Sequence, residues 1–331
     1  MTTTQNRTTK ANPNAWSFVC GRMAALESEL LPRSFFETLL KCGNRAEARS
    51  VLGKSNYRIL FPDDKSLDSV SSILDAKTKE MKADFFKSCP PHPLLSFFDI
   101  GYRFRTFRTL FNQACRQSNP PVAELENLFG LFEIEPKYAN GLREHRCMLS
   151  RSNPPQTASS MERSLFLDSV ACSFMSVLSE DTPESLVKRY MRDRAVLSAW
   201  SGIFRLRWNG VPAEMIRRWF IFENSFDLAA SILATENDPK ATVIARLSTQ
   251  SAMIMESVDV QRIKIDIDSV SSDVLRDMVL TCRMVPFGAE RAMSYLLAAE
   301  VELVNLELCL SAIGNGIDRD ITLSRLRREY A

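Results

Sequence analysis

The sequence predicts an all-α protein, and three observations support this prediction. Glycine, which tight turns and hairpins use, makes up only 11 of 331 residues, about half the usual ~7%. Apolar residues recur every three or four positions along most of the chain, which is the period of a helix buried on one face. Proline doublets separate the periodic segments, at Pro90–Pro91, Pro120–Pro121 and Pro154–Pro155. With 45% apolar residues and a net charge of +2, the chain has the composition of a packed protein.

Each predicted helix follows from its own apolar stripe. The first carries its stripe at Trp16, Val19, Met23, Leu26 and Leu30. Pro32 ends it, because a proline moves the preceding residue out of the helical region. Further helices or short helical segments are predicted over residues 35–40, 46–52, 65–87, 94–116, 162–178, 184–208, 213–222, 226–233, 241–255, 289–313 and 319–330.

One stretch has a different period. Ile263, Ile265 and Ile267 alternate with Lys264, Asp266 and Asp268, which is the period of a strand. A lone strand has nothing to pair with in an all-helical chain, so we expect tertiary context to override the alternation.

The sequence lacks the motifs of an enzyme. No glycine-rich phosphate loop is present, and the two histidines, His92 and His145, are predicted at the surface. The helical acids Glu27, Glu29, Asp193, Glu300 and Glu302 are predicted to lie on solvated faces or in ion pairs. The eight cysteines are scattered, with none at Cys-x-x-Cys spacing, and are predicted to be mostly small buried hydrophobes. We therefore expect no catalytic site, cofactor or metal.

The termini and hydropathy predict a cytosolic or peripheral protein. Residues 1–14 are polar, lack the apolar core of a secretory signal, and are predicted to form a flexible tail. No run approaches the ~18 uncharged apolar residues that a membrane helix needs. Any membrane association is therefore expected to occur through a partner or a surface.

Two basic stretches have a functional interpretation. Tyr102–Arg108 interleaves arginines with aromatic residues, as a nucleic-acid surface does, but the helical wheel places Phe104 and Phe107 on the core side. The second group flanks two turns and is our candidate polar docking surface, with a solvated helix face as the alternative: Arg205, Arg207, Arg217, Arg218, Arg325, Arg327 and Arg328.

The two turns belong to two similar segments of the sequence that lie 106 residues apart, which we call the internal echo. Asn209-Gly210 and Asn315-Gly316 each follow a long apolar-striped helix and precede a branched aliphatic residue and a short helix. This spacing is too long for a helical solenoid and instead suggests recurring bundles of about a hundred residues.

Both ends of the chain resemble the C/d family of V/A-type rotary ATPases, the central-stalk cap that is called C in bacteria and archaea and d in eukaryotic V-type pumps. At the start, Trp16–Leu31 resembles that family's opening helix, with Arg22, the Leu26-Glu27 pair and Leu30-Leu31. At the end, Glu302-Leu-Val-Asn305-Leu306, the Gly316 turn and Ile321–Leu326 are similar to its closing elements. These motifs cover about a third of the chain; the polar tail is longer than expected for the family, and the middle around residues 115–160 agrees only in pattern.

The resemblance implies a funnel of about three helical bundles around a pseudo-threefold axis, so that residues 15–331 would form one all-helical unit. It further implies a non-catalytic central-stalk subunit that couples the rotating central shaft to the membrane proteolipid ring. The implied partners are that ring and the shaft subunits, on the cytoplasmic side of the membrane. The competing interpretations are a cytosolic helical adaptor or scaffold unrelated to ion pumping, and a nucleic-acid binder that uses Tyr102–Arg108.

Overall fold

The computed structural model describes residues 13–60, 70–99, 181–219 and 240–328, with further positions between 165 and 180. Pro13 and Asn14, predicted to belong to the tail, instead begin the first helix, and the rest of the predicted tail lies outside the described residues. His145, the Tyr102–Arg108 stretch, the helix predicted over 226–233 and most of the one over 94–116 also lie outside them. Every regular element in the described residues is helical, with no strand among them. The predicted all-α class is confirmed.

Twelve α-helices have defined bounds. The first four are α1 (Pro13–Glu27), α2 (Arg33–Leu39), α3 (Arg45–Leu52) and α4 (Val70–Ser88), with a 3-10 helix over Asn56–Leu60. The next four are α5 (Ser185–Trp208), α6 (Ala213–Trp219), α7 (Ala241–Ile244) and α8 (Thr249–Ser257). The last four are α9 (Val260–Ile265), α10 (Ile267–Arg283), α11 (Ala289–Asn315) and α12 (Arg319–Arg325). Residues 93–99 are also helical.

The chain divides into two compact units. Unit 1 comprises Met1–Pro91 and Val279–Ala331, and unit 2 comprises His92–Met278. The predicted arrangement of three bundle repeats stays a prediction.

The centre of unit 1 is α11, which packs against α1, α2, α3, α4 and α12. Because neighbours surround it, α11 is buried over most of its circumference rather than along one stripe. Its apolar side chains join those of the amino-terminal helices in one core, which includes Phe36, Leu39, Leu52, Leu74, Leu306 and Leu310. Half-buried ion pairs lie at the edge of this core, such as Lys82 Nζ to Glu300 Oε1 at 2.6 Å. The two ends of the chain thus fold together as one unit.

In unit 2, α5 is the principal helix, and α6 and α7 pack against it. Its buried residues include Tyr190, Leu197 and Trp200, and Tyr190 meets Phe97 edge-on at a ring-centroid distance of 6.3 Å. The helix predicted over 241–255 is instead two helices, α7 and α8. The break falls at Ser248, whose backbone N–H and hydroxyl both donate to the buried carboxylate of Asp193.

The expectation that context overrides the strand-like alternation is confirmed. Ile263 and Ile267 are buried, whereas Ile265 is 74% exposed. The backbone leaves the helical region only at Asp266, where φ is −150° and ψ is 79°, between α9 and α10. The alternation therefore marks a break between two short helices.

The two helix–turn–helix segments of the internal echo end their first helices in the same way. Gly210 and Gly316 have positive φ angles of 78° and 65°, the left-handed conformation that glycine adopts at helix ends. Val211 N–H donates to the Leu206 carbonyl, and Ile317 N–H donates to the Ala312 carbonyl, both at 2.9 Å. The following helices α6 and α12 each begin three residues after the glycine. The internal echo thus consists of the same helix-ending glycine turn at two places in the chain.

Gly288, at the amino end of α11, has a backbone conformation that is less accessible to other residues than those of Gly210 and Gly316. Its φ of +132° lies in a region that side-chain-bearing residues rarely adopt, and an added Cβ would lie 2.6 Å from Glu290 Oε2. We expect Gly288→Ala to lower the free energy of unfolding by about 1–3 kcal/mol, measured by urea unfolding.

Gly21 provides the matched control in the same unit. It lies within α1, and no atom outside its own helix backbone lies within 4 Å of an added Cβ. Gly21→Ala should therefore raise the free energy of unfolding by about 0.5–1 kcal/mol. Equal effects of the two substitutions would contradict a backbone constraint at Gly288.

Candidate partner interface

Two of the candidate arginines lie in the last turn of α5, before the first hairpin turn. Arg205 forms an ion pair with Asp268 at 2.5 Å, with both side chains about half exposed. Arg207 is less exposed, and its Nη1 donates to the Val211 carbonyl at 3.2 Å, so it fastens the turn. Arg205 is therefore accessible at the surface, whereas Arg207 stabilises the hairpin turn.

The next two arginines lie on α6. Arg217 is exposed and pairs with Glu214 at 2.9 Å, one helical turn away. Arg218 is also in the helix, and its side chain lies outside the described part of the structure. An exposed pair of this kind contributes little to stability, so α6 can exchange it for a partner's carboxylate at low cost.

The last three arginines lie in and after α12. Arg325 and Arg328 are exposed. The helix predicted to reach Tyr330 ends at Arg325, because Asn305 holds the backbone that follows. The Asn305 side chain donates to the Arg327 carbonyl at 3.0 Å and accepts from the Arg327 N–H at 2.9 Å. The candidate arginines thus belong to two groups, one in each compact unit.

An exposed aromatic residue lies beside the first group, at a position whose spacing continues the apolar stripe of α5. Trp208, the last residue of α5, is 59% exposed. Its ring stacks on Phe204 with centroids 6.3 Å apart, and Lys264 Nζ lies 4.5 Å from its centroid. The apolar spacing could not reveal that Trp208 is exposed, because the last turn of α5 extends beyond the part of the helix that packs against the rest of unit 2.

The His92 side chain is buried, which corrects the surface position predicted for it. Its side chain is 6% exposed, and its Nε2 lies 2.8 Å from Glu184 Oε2. Its Nδ1 accepts from the Leu94 N–H at 3.1 Å, so His92 caps the helix over residues 93–99. Burial alone raises the pKa of Glu184, but the hydrogen bond and charge of His92 outweigh burial and lower the pKa. This pair joins the amino ends of two helices.

Two acids predicted to be solvated or ion-paired are buried acceptors of hydrogen bonds. Glu302 accepts from Tyr57 Oη at 2.5 Å and from the Leu31 backbone N–H. Asp193 accepts from Ser248 N–H and from the Ser248 hydroxyl. The ion-pair prediction is confirmed for Glu27, which meets Arg291 at 2.5 Å, and for Glu300. Glu302 and Asp193 are buried, and their hydrogen bonds connect segments that are distant in the chain.

Four of the cysteines pack in the interior. Cys20, Cys172, Cys282 and Cys309 are buried free thiols, as predicted. In the described residues, no three metal-ligating side chains come together. Within the same residues, no helix combines the length and hydropathy needed to cross a bilayer.

No family model matches the chain, and comparison with curated proteins finds no match to it.

Proposed function

We propose that this chain is the non-catalytic central-stalk subunit of a V/A-type rotary ATPase, which couples the rotating shaft to the membrane proteolipid ring during proton or sodium transport. It would act on the cytoplasmic side of the membrane, bound through the ring. One observation carries the proposal: the residues of the two terminal motifs contact one another in unit 1. Leu31, at the end of the opening motif, donates its backbone N–H to Glu302 of the closing motif, 271 residues away.

The remaining motif residues support the same interpretation. Glu27 of the opening helix meets Arg291 of α11 at 2.5 Å, with Arg283 3.6 Å from the same oxygen. Arg22 pairs with Asp84 and donates to the Ser88 hydroxyl at 2.6 Å. Asn305 binds the backbone at Arg327. The polar residues Arg22, Glu27 and Asn305 of the resembling segments thus each hold a contact within unit 1.

Torque in such a subunit is transmitted by shape and polar contacts, without covalent chemistry. A helix network tied by buried hydrogen bonds resists twisting, because rotation would break several bonds together. Exposed arginines at the ends of two hairpins can form ion pairs that orient a partner and allow reversible assembly. The structure of unit 1 is suited to the first task, and the arginine groups are suited to the second.

The proposal is tested by affinity purification of the tagged chain from native membranes solubilised in mild detergent. We expect a small proteolipid and the catalytic ATPase subunits to be recovered with it. Recovery from the soluble fraction alone, with unrelated partners, would overturn the proposal and favour the adaptor interpretation.

The arginines of α6 provide a prediction about assembly. Reversing both charges, in Arg217→Glu with Arg218→Glu, should weaken recovery of the complex several-fold, because the surface then repels a partner's carboxylates. The isolated protein should stay folded, since Arg217 is exposed and its ion pair with Glu214 is a surface pair. Recovery is measured by the same purification, with circular dichroism to check folding.

Lys188 and Arg189 form a matched control pair on α5 in the same unit. Lys188, like Arg217, has one surface ion pair, to Glu180 at 2.7 Å. Reversal of both control charges should leave recovery unchanged. Equal losses from the two double variants would show that net charge, and not the α6 position, decides assembly.

A further inference from the structure

The end of α5 and the end of α9 form an exposed surface that none of the motifs explains. It consists of Arg205, Trp208, Lys264 and Ile265, with Asp268 at its edge, and we name it the Trp208 surface. We propose that it binds an acidic segment of a partner protein within the assembly. This inference rests on the proposed function and extends it by naming the chemistry of one contact.

The aromatic centre of the surface is held in place before any partner binds. Trp200 is fully buried, Phe204 lies 5.6 Å from it, and Trp208 stacks on Phe204 with the two planes only 8° apart. This column of rings packs against the exposed Trp208 side chain and restricts its movement. A partner that covers the ring therefore loses little additional side-chain entropy.

The exposed apolar side chains distinguish this surface from an ordinary helix end. Basic residues in a last turn offset the negative end of the helix dipole, which accounts for Arg205, Arg207 and Lys264. The dipole does not account for an indole that is 59% exposed, nor for the neighbouring exposed Ile265. Tryptophan and arginine together are the residues most enriched in the energetic centres of protein interfaces.

The charges of the Trp208 surface indicate the charge of the partner segment that it binds. Asp268 offsets the charge of Arg205, while Lys264 Nζ lies 4.5 Å from the centre of the Trp208 ring. Arg207 adds a further positive charge in the same last turn of α5. Because cations outnumber carboxylates here, the surface complements an acidic segment.

A lipid surface fits these side chains less well. Anionic membranes also attract basic residues and tryptophan. The exposed large apolar side chains here are Trp208 and Ile265, a much smaller apolar area than the helix-long face with which a peripheral helix enters a bilayer. The narrow apolar centre with fixed cations therefore favours a protein segment.

The test uses membranes from cells that lack the gene for this chain, to which the purified full-length protein is added. Wild-type protein should bind in a sedimentation assay. Trp208→Ala and Lys264→Glu should each weaken binding about 10-fold or more, the effect typical of a residue at the centre of an interface. The controls Met253→Ala, which removes another exposed apolar side chain of unit 2, and Lys188→Glu should stay within about twofold. Circular dichroism verifies that all variants are folded.

Carbodiimide coupling identifies the occupant, because this reagent joins an amine to a carboxylate in direct contact. Lys264 should become linked to an aspartate or glutamate of another subunit, located by mass spectrometry.

Four results would overturn the inference. Unchanged binding of Trp208→Ala, or links from Lys264 only within this chain, would refute it while the proposed function stands. Binding to protein-free anionic vesicles that shows the same dependence on Trp208 would assign the surface to lipid. Absence of wild-type binding would overturn the proposed function, and this contact would fall with it.

Discussion

Replacing Asp193 with alanine is expected to lower the free energy of opening of unit 2 by about 3 kcal/mol. The Asp193 carboxylate is fully buried on α5 and accepts the Ser248 N–H at 3.1 and 3.3 Å, and the Ser248 hydroxyl at 2.5 Å. Ser248 is the residue before α8, and its hydroxyl does not cap its own helix. Alanine would leave both donors without this acceptor. Hydrogen exchange of α5 and α8, followed by mass spectrometry, measures the loss.

Two further variants make this test specific. Asp193→Asn keeps one acceptor oxygen but turns an amide donor toward Ser248, so a loss of about 1–2 kcal/mol is expected. Asp181→Ala removes an exposed aspartate of the same unit and should change the free energy by less than about 0.5 kcal/mol. An effect of Asp193→Ala no larger than that of Asp181→Ala would contradict an anchoring role.

The second large effect is a pH dependence at Glu302. Burial raises its pKa, and the hydrogen bonds from Tyr57 and Leu31, which favour the charged form, offset only part of this shift. The folded protein therefore keeps the proton at pH values where the unfolded chain has lost it. The associated stability is fully present below the unfolded pKa and is lost as the pH rises through the folded pKa.

Glu302→Gln removes this titration. The free energy of unfolding of the wild type, relative to the variant, should decline with rising pH by up to about 1.4 kcal/mol per pH unit between the unfolded and folded pKa values. Urea unfolding followed by circular dichroism, from acidic to neutral pH, measures the difference. Parallel curves for the two proteins would refute a raised pKa at Glu302.

Tyr57→Phe provides the complementary measurement. Tyr57 donates to Glu302 Oε1, and this bond lowers the carboxyl pKa. Its loss should raise the pKa further, so the decline in stability should extend to higher pH than in the wild type. A decline that ends at lower pH would contradict this assignment.

The helix class and the long helices α4, α5 and α11 were predictable because they depend on local periodicity, whereas the 17-residue α10 was not predicted. The stripe and turn signals predicted α11 as residues 289–313, and the helix extends to Asn315. The left-handed glycines that end α5 and α11 were visible as Asn-Gly pairs followed by short helices. The strand-like isoleucines were resolved by physical reasoning, since one strand cannot pair alone.

The buried polar contacts were not predictable from local sequence. Glu302 and Leu31 are separated by 271 residues and Asp193 and Ser248 by 55, so no periodicity links them. His92 was predicted at the surface because prolines flank it, yet its side chain is buried and hydrogen-bonds to Glu184, 92 residues later in the chain. The same local sequence is compatible with a polar helix residue that is solvated and with one that is buried. Which of the two occurs depends on the tertiary contact that the residue makes.

The candidate interface was predictable in part. The arginines flank the turns as expected, and the structure adds which of them also stabilise the hairpin, such as Arg207. The exposed Trp208 was missed because its spacing continues the buried stripe of α5, while the packed part of the unit ends earlier.

Ion pumping by the assembled complex tests the proposed coupling role most directly. Membrane vesicles from cells lacking this chain should still hydrolyse ATP through their catalytic subunits but form no ATP-driven ion gradient. Adding the purified chain should restore the gradient. A normal ATP-driven gradient in vesicles that lack the chain would contradict its role as the link between shaft and ring.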